Sequence, residues 1–446
     1  MLIEIHMIQN HSPSNLNRDD LGAPKTCMFG GVTRARISSQ CLKRSIRRSQ
    51  QFQAVLEAEG GVRTRRLITV LAEKASGGQP PHKDLTEFVA KAFEKGGVKR
   101  DPTAEDANAT NILLFVPRSG IEKMAAAVAR AWQEDKPQAD ALATELAAIL
   151  GEFAAVPDVA LCGRMTELDR EGLFAKLNLH GEAALASAHA ISTHAVVNEV
   201  DYFTAVDDLS KGTGAGHVNE GTYNSACFYK YFCLDFDQLV GNLMSPNSEA
   251  AAEKKARCLA AATVGHFLRG ASLTVPSGKQ HSFAAFNPPD GILVEIKKEA
   301  RTPMSYANAF AEPARKIGDP PDDAADCVSL VGRSIAQLGD HVHNVRRALQ
   351  TDSTVLWFSP APWRYPLQGW EREEDGRKAK VRDAKNQPTD KDKPPVPVAS
   401  KTFDVLDHVD PKHPCLVQAV IDALEIKVDG ADLKWADVKD AGKKEA

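Results

Sequence analysis

The sequence predicts an α+β fold, and three observations carry that expectation. Residues 2–8 alternate, with Ile3, Ile5 and Met7 on one side and Glu4 and His6 on the other, the period of a strand. Residues 52–150 are Ala-rich and charged, with helical spacing broken at Gly60-Gly61, at Gly77-Gly78-Gln79-Pro80-Pro81 and at Pro117. Two apolar runs, FYKYFCLDF (228–236) and GILVEI (291–296), then read as strands. At 446 residues the chain exceeds one ordinary hydrophobic core, so more than one structural unit is expected.

After the first strand comes HSPSNLNRDDLGAPK, a loop by its Pro, Asn, Asp and Gly content. Phe29-Gly30-Gly31 supplies a backbone turn, and Arg34 to Ile37 alternates again as a short strand. Ser38 or Ser39 is placed to cap a helix, since a hydroxyl can accept an orphan amide. In that helix Leu42 and Ile46 share a face that can be buried. Lys43 with Arg47, and Arg44 with Arg48, stand four residues apart and form a cationic stripe. EKMAAAVARAWQED and ADALATELAAILGEF are the clearest helices of the next stretch. VALCGRM (159–165) reads as a strand, residues 181–194 as a small-residue helix, and the polar, Gly-rich residues 196–226 as a protruding hairpin or loop. Amphipathic helices are expected over 251–269 and 415–426. From Glu371 to Lys393, 15 of 23 residues are charged, which marks a solvated linker or insertion.

Charge is concentrated in one place. The stretch FGGVTRARISSQCLKRSIRRS (29–49) holds Arg34, Arg36, Lys43, Arg44, Arg47 and Arg48 and no acid, although the whole chain carries a net charge of -4. With a pI near 6.4, the protein is not a general coat for nucleic acid, so the cluster points to a local phosphate partner. A charge run is commonly only a solvated helix face. The absence of interspersed acids and the preceding Ser-Ser-Gln favour binding here. The eight cysteines form no CxxC pair, which argues against zinc ribbons and disulfide frameworks and fits free thiols in a reducing cytosol. The first residues lack the basic-then-apolar pattern of a secretory signal, and no apolar run is long enough to span a bilayer.

The segments HSPSNLNRDD (11–20), FGGVTRARISSQCLKRSIRRS (29–49), LCGRM (161–165), SAHAISTHAVVNEVDYFTAVDDL (187–209), VPSGKQHSFAAFNP (275–288) and MSYANAF (304–310) occur in one order. Through them the chain resembles the Cas-seven-type (CasC) backbone subunits of type I-E CRISPR Cascade surveillance complexes. The resemblance implies an RNA-recognition-motif-like (ferredoxin-like) palm with a helical fingers insertion and a protruding thumb. On that division the palm and its basic helix take residues 1–51, the fingers 52–157, a second palm segment 158–195, the thumb 196–226 and a third palm segment 227–359. A charged, Pro-rich insertion would fill 360–398, and a closing helix and tail 399–446.

The resemblance also implies partners and residues. Copies would stack head to tail along one guide RNA, with other Cascade subunits, and would meet target DNA through the guide. The RNA-backbone contacts of the family match Arg18, Lys25, Ser38, Gln40, Lys43, Arg44 and Arg47. A methionine that packs on the RNA matches Met165. The thumb wedge matches Phe203 and Thr204, beside Tyr202. A subunit that must hold any guide should grip phosphate and sugar rather than base edges, and an aromatic wedge serves every base. Three departures stand out. The segment after Leu168 differs from the family pattern, residues 360–398 are an addition to which no family role transfers, and the thumb is acidic (Glu199, Asp201, Asp207, Asp208). Those acids are expected to meet cations of an adjacent copy.

Catalysis has weaker support. His6, His11, His194 and His281 are candidates for acid-base RNA cleavage, but no spacing pairs them. His341 and His343 lack further metal-ligand spacing. GTGAGH (212–217) lacks the Lys-Ser/Thr of a phosphate-gripping loop. The expectation is therefore a non-catalytic cytoplasmic scaffold without cofactor or metal; the alternative is an endoribonuclease that processes CRISPR precursor RNA.

Overall fold

The computed structural model describes residues 1–56, 61–133, 137–152, 156–163, 174, 182–205, 217–244, 250–299, 302–314, 329–369, 396–407, 415–428 and 430–439. The fold is mixed α+β and divides into two compact units. The first takes Met1–Gln51, Ser187–Cys233 and Phe267–Glu425; the second takes Phe52–Ala186, Leu234–His266 and Ile426–Ala446.

The first unit is built on one large sheet. Besides a short strand at Leu185–Ser187, its strands are β1 (Leu2–Ser14), β2 (Thr26–Phe29), β3 (Val32–Ile37), β4 (Ala190–Ser192), β5 (Glu199–Ala205), β6 (His217–Asp235), β7 (Gly291–Lys297), β8 (Thr354–Phe358) and β9 (Lys401–Phe403). In order along the sheet they run β9-β8-β7-β1-β6-β4-β3-β2, and β5 pairs with β6. β1 and β7 are antiparallel, from Leu2 opposite Lys297 to Ile8 opposite Gly291. Gly30 and Gly31 close the β2–β3 hairpin with φ of 61° and 76°, the left-handed region that a tight two-residue turn needs. At Gly30 there is a second constraint: a Cβ would stand 1.8 Å from the Ala311 carbonyl oxygen.

The alternation of β1 is real, but both of its faces are buried. Ile3, Ile5 and Met7 are covered, and so are Glu4 and His6. The polar pair survives burial because it is partnered. Glu4 ion-pairs with Lys297 and accepts from Tyr231 Oη and the Met304 amide. His6 Nδ1 lies 2.8 Å from Tyr229 Oη, and its ring stacks on Tyr306 at 4.6 Å between centroids. Tyr229, Tyr231, Tyr306, Phe310 and Trp357 form the core on this side, closed by the helix Leu330–Leu349.

The second unit is chiefly helical. Leu67–Ala75, Lys83–Lys95, Arg118–Trp132 and Ala139–Glu152 are its main helices. Leu71, Phe93, Met124, Val128 and Leu146 fill their common core. A short antiparallel pair, Gly61–Thr64 with Leu114–Pro117, interrupts the run that the sequence reads as wholly helical.

Two local expectations are overturned. Residues 157–162 form a helix, Pro157–Cys162, not a strand; Pro157 sits at its first turn, where the missing N–H costs nothing. Residues 185–187 and 190–192 are strands, not a helix. There the ladder decides: Ile191 pairs with Arg36 on one side and Tyr229 on the other, and such pairing overrides the helix propensity of alanine.

Candidate nucleic-acid interface

The basic helix, α1, spans Ser39–Arg47. Ser38 is its cap, with φ −67° and ψ 146°, and its Oγ accepts from the Cys41 amide at 3.3 Å. The Ser38 amide donates to Asn17 Oδ1 at 2.8 Å, which ties the helix start to the preceding loop. Leu42 and Ile46 are 3% and 4% exposed, so the apolar face is buried as its spacing requires. Gln40, Arg44 and Arg48 are exposed and Lys43 and Arg47 half-buried. The side chains of Lys43, Arg44 and Arg48 form no ion pair or hydrogen bond with a described residue, leaving their charge for a partner.

The loop before β2 presents two more of the expected contacts. Arg18 bridges to Pro24, and Asp19 Oδ1 accepts from the amides of Leu21 and Ala23, both at 2.9 Å. This internal bonding fixes the loop with Arg18 exposed at its start. Arg18 and Arg44 line one open depression of about 530 Å³, together with Asp19, Asp20, Ser45 and Gly278. Lys25 faces a separate small cavity with Asn17 and Arg36. The fold therefore brings Arg18 and Arg44 together and sets Lys25 apart. Ser38 is buried as a cap, so its main observed work is to start the helix.

Arg34, counted in the sequence among six available cations, is unavailable. It is fully buried and donates to three carbonyls: Phe29 at 3.1 Å, Ser192 at 3.1 Å and Phe310 at 2.6 Å. Arg36 is also engaged, through Thr26 O and His189 Nδ1, both at 3.2 Å. The alternation of β3 puts Arg34 inward, and the carbonyls around it satisfy its fork of donors.

Residues 199–205 pair with 217–223 as an antiparallel hairpin, from Glu199 opposite Tyr223 to Ala205 opposite His217. Tyr202 is 71% exposed and Phe203 48%. Strand alternation sends them to opposite faces. Phe203 shares its face with Glu199 and Asp201, while Tyr202 shares the other with Thr204. Asp207, Asp208, residues 212–216 and Met165 lie outside the described residues.

The histidines do not gather. His6 and His11 are buried, and burial first, then a nearby lysine, holds each pKa down at about 3. His194 is held below its ordinary pKa, chiefly by burial. Its Nδ1 donates to Ala195 O at 2.9 Å, which leaves Nε2 to accept from the Cys227 amide at 3.2 Å. His281 is exposed. Among the described residues no group of three or more His, Cys, Asp or Glu could hold a metal ion. Also among them, no helix is long and apolar enough to cross a membrane.

The turn Ser277-Gly278-Lys279 was legible as part of a motif but not as part of a site. Only the folded chain carries Ser277 and Gly278 to the wall of the Arg18–Arg44 depression.

Fold and site thus define a mixed α+β protein with a cationic helix face, on which Lys43, Arg44 and Arg48 have no ion pair or hydrogen bond with a described residue, and an aromatic-bearing hairpin in the same unit. The chain belongs to the CT1975-like protein family, which it matches over residues 3–380. It is similar to a chain of a solved CRISPR RNA-guided surveillance complex in a pre-nicking state, with 30% identity and a TM-score of 0.63, covering 80% of this chain and 92% of that one. A second CRISPR RNA-guided surveillance complex has a chain 25% identical, with a TM-score of 0.45, covering 80% of this chain and 89% of that one. No curated protein matches the chain.

Proposed function

We propose that this protein is a non-catalytic scaffold subunit of a type I-E CRISPR surveillance complex, holding guide RNA by its backbone. The observation that carries this reading is the exposed face of α1. Lys43, Arg44 and Arg48 project from a helix anchored by Leu42 and Ile46, with no acid in the helix to neutralise them. The likeness to a chain of an RNA-guided complex supports the same partner. In this reading the sheet unit is the RNA-recognition-motif-like palm, the helical residues within 52–157 are the fingers and the hairpin within 196–226 is the thumb. Copies associate head to tail, and such heterologous contacts propagate into a helical filament. Phe203 or Tyr202 wedges between bases at intervals and leaves the segments between free to pair with target DNA. Other subunits of the complex complete the particle, in the cytoplasm.

A test is to titrate salt against the affinity of the purified chain for guide RNA. Five phosphate contacts per copy give a log–log slope of roughly −3 to −4. A salt-independent affinity would refute the reading. The competing reading, an endoribonuclease, needs an acid and a base at one reactive 2′-hydroxyl. His6 and His11 are sealed in the core and uncharged at neutral pH, which favours the scaffold. Incubation with precursor repeat RNA separates the two: the scaffold binds it and leaves it whole.

A further inference from the structure

The turn that joins the helix Ala250–Leu273 to β7 is packed closely on the loop before β2 and holds strained backbone. Gly278 abuts the loop that carries Arg18: a Cβ there would stand 2.5 Å from Leu16 O and 2.6 Å from Asn15 O. Asn15 Nδ2 in turn donates to Thr222 O of the hairpin at 2.8 Å and to Gly22 O at 2.9 Å. Lys279 and Ala284, at the ends of a single helical turn, both adopt left-handed backbone, with φ of 46° and 48°. For residues with a Cβ that conformation costs energy and persists only where the surroundings enforce it.

The consequence is a row of three cations, Arg44, Arg18 and Lys279, with Asp19 and Asp20 lying in the depression beside the first two. Ser277 and Gly278 line the depression that holds Arg18 and Arg44. The next residue, Lys279, reaches the hairpin. A Cβ placed on Gly221 would stand 3.2 Å from Lys279 Nζ and 3.9 Å from Phe203 Cε1. Ammonium and ring edge therefore both border the space that a side chain at Gly221 would fill. Lys279 is half-exposed and forms no ion pair or side-chain hydrogen bond with a described residue. Asp201, directly across the ladder from Gly221, does not pair with it.

We infer that Lys279 is a phosphate-binding residue that continues the Arg44–Arg18 track onto the hairpin. The ligand is a single-stranded polynucleotide. One phosphate meets the ammonium, a point charge on a flexible stem that needs no fixed geometry. The adjoining base meets the Phe203 ring. The absence of a side chain at Gly221 gives both groups access to the same nucleotide. This inference rests on the RNA-scaffold reading and adds to it a residue and a position along the strand.

The test uses the full chain and a single-stranded RNA of guide sequence, followed by fluorescence anisotropy across a salt series. Native mass spectrometry counts the copies bound. Lys279→Gly removes the charge at a position where glycine is the easier residue, so folding is not burdened. Its slope should be shallower by about 0.7 per bound copy. Lys279→Arg should keep the wild-type slope. Equal slopes for wild type and Lys279→Gly would overturn the role of Lys279 and leave RNA binding by α1 standing. A wild-type chain that binds no RNA even at low salt would end both readings.

Discussion

Arg34 and Phe310 are joined by a hydrogen bond of 2.6 Å, from Nη2 to the backbone carbonyl, although 276 residues separate them. The same guanidinium holds Phe29 O and Ser192 O. One side chain of the basic segment thus fastens together β3, β4 and the turn Ala307–Phe310. It is a structural cation within the run of basic residues proposed to bind RNA.

Arg34→Ala should therefore act on stability. It leaves buried carbonyls without donors, at about 1–3 kcal/mol each where water cannot replace the lost partner. Urea denaturation should show a loss of at least about 2 kcal/mol. The salt slope for RNA, measured on the fraction that remains folded, should not change. A lowered slope with intact stability would reverse the assignment.

Lys43→Glu with Arg44→Glu should do the opposite. Neither side chain is paired with a described residue, and neither belongs to the buried core. The thermal midpoint should stay close to wild type, while RNA-dependent oligomers disappear from size-exclusion profiles. Loss of cooperative unfolding in this variant would mean that the cationic face packs inward.

His6 and His11 predict a response to acid. Burial lowers the folded pKa of each from the ordinary 6.5 to about 3. The unfolded chain therefore binds more protons across that window. The stability from keeping both neutral is complete above about pH 6.5 and is lost as pH falls toward 3, with a limiting slope of about 1.4 kcal/mol per pH unit for each histidine. Denaturation at a series of pH values should show the decline. A His6→Gln/His11→Gln variant should flatten it relative to wild type.

Tyr202 and Phe203 project from opposite faces of the hairpin, so they cannot both stack on one displaced base. Phe203, like Lys279, borders the open space over Gly221. Phe203→Ala should leave RNA affinity within a few fold and abolish the periodic reactivity of the bases in chemical probing. Tyr202→Ala should leave the periodicity in place. The reverse pattern would move the wedge to Tyr202.

Gly30→Ala tests the β2–β3 turn. A methyl group there meets the Ala311 carbonyl at 1.8 Å, and the backbone is already at positive φ. Both must shift, so a loss above about 2 kcal/mol is expected in thermal or urea unfolding. A fall of a few tenths would show that the turn relaxes freely.

Local pattern was enough for much of this molecule. The α+β class, the strand at residues 2–8, a helix cap at Ser38 or Ser39, the buried Leu42 and Ile46 and the exposed Arg44 all follow from residue types and spacing within one turn or one strand. Such features depend on contacts between near neighbours, and near neighbours are written next to each other. The sequence could not say that Arg34 differs from Arg44, that Glu4 and His6 would be covered, or that Ala190–Ser192 would join a ladder. Each of those depends on groups remote in the sequence: Phe310, Lys297, Tyr229. The approach of Lys279 and Phe203 to Gly221 is of that kind as well. A charge becomes a binding group or a strut according to what packs on it, and packing is settled only when distant strands come together.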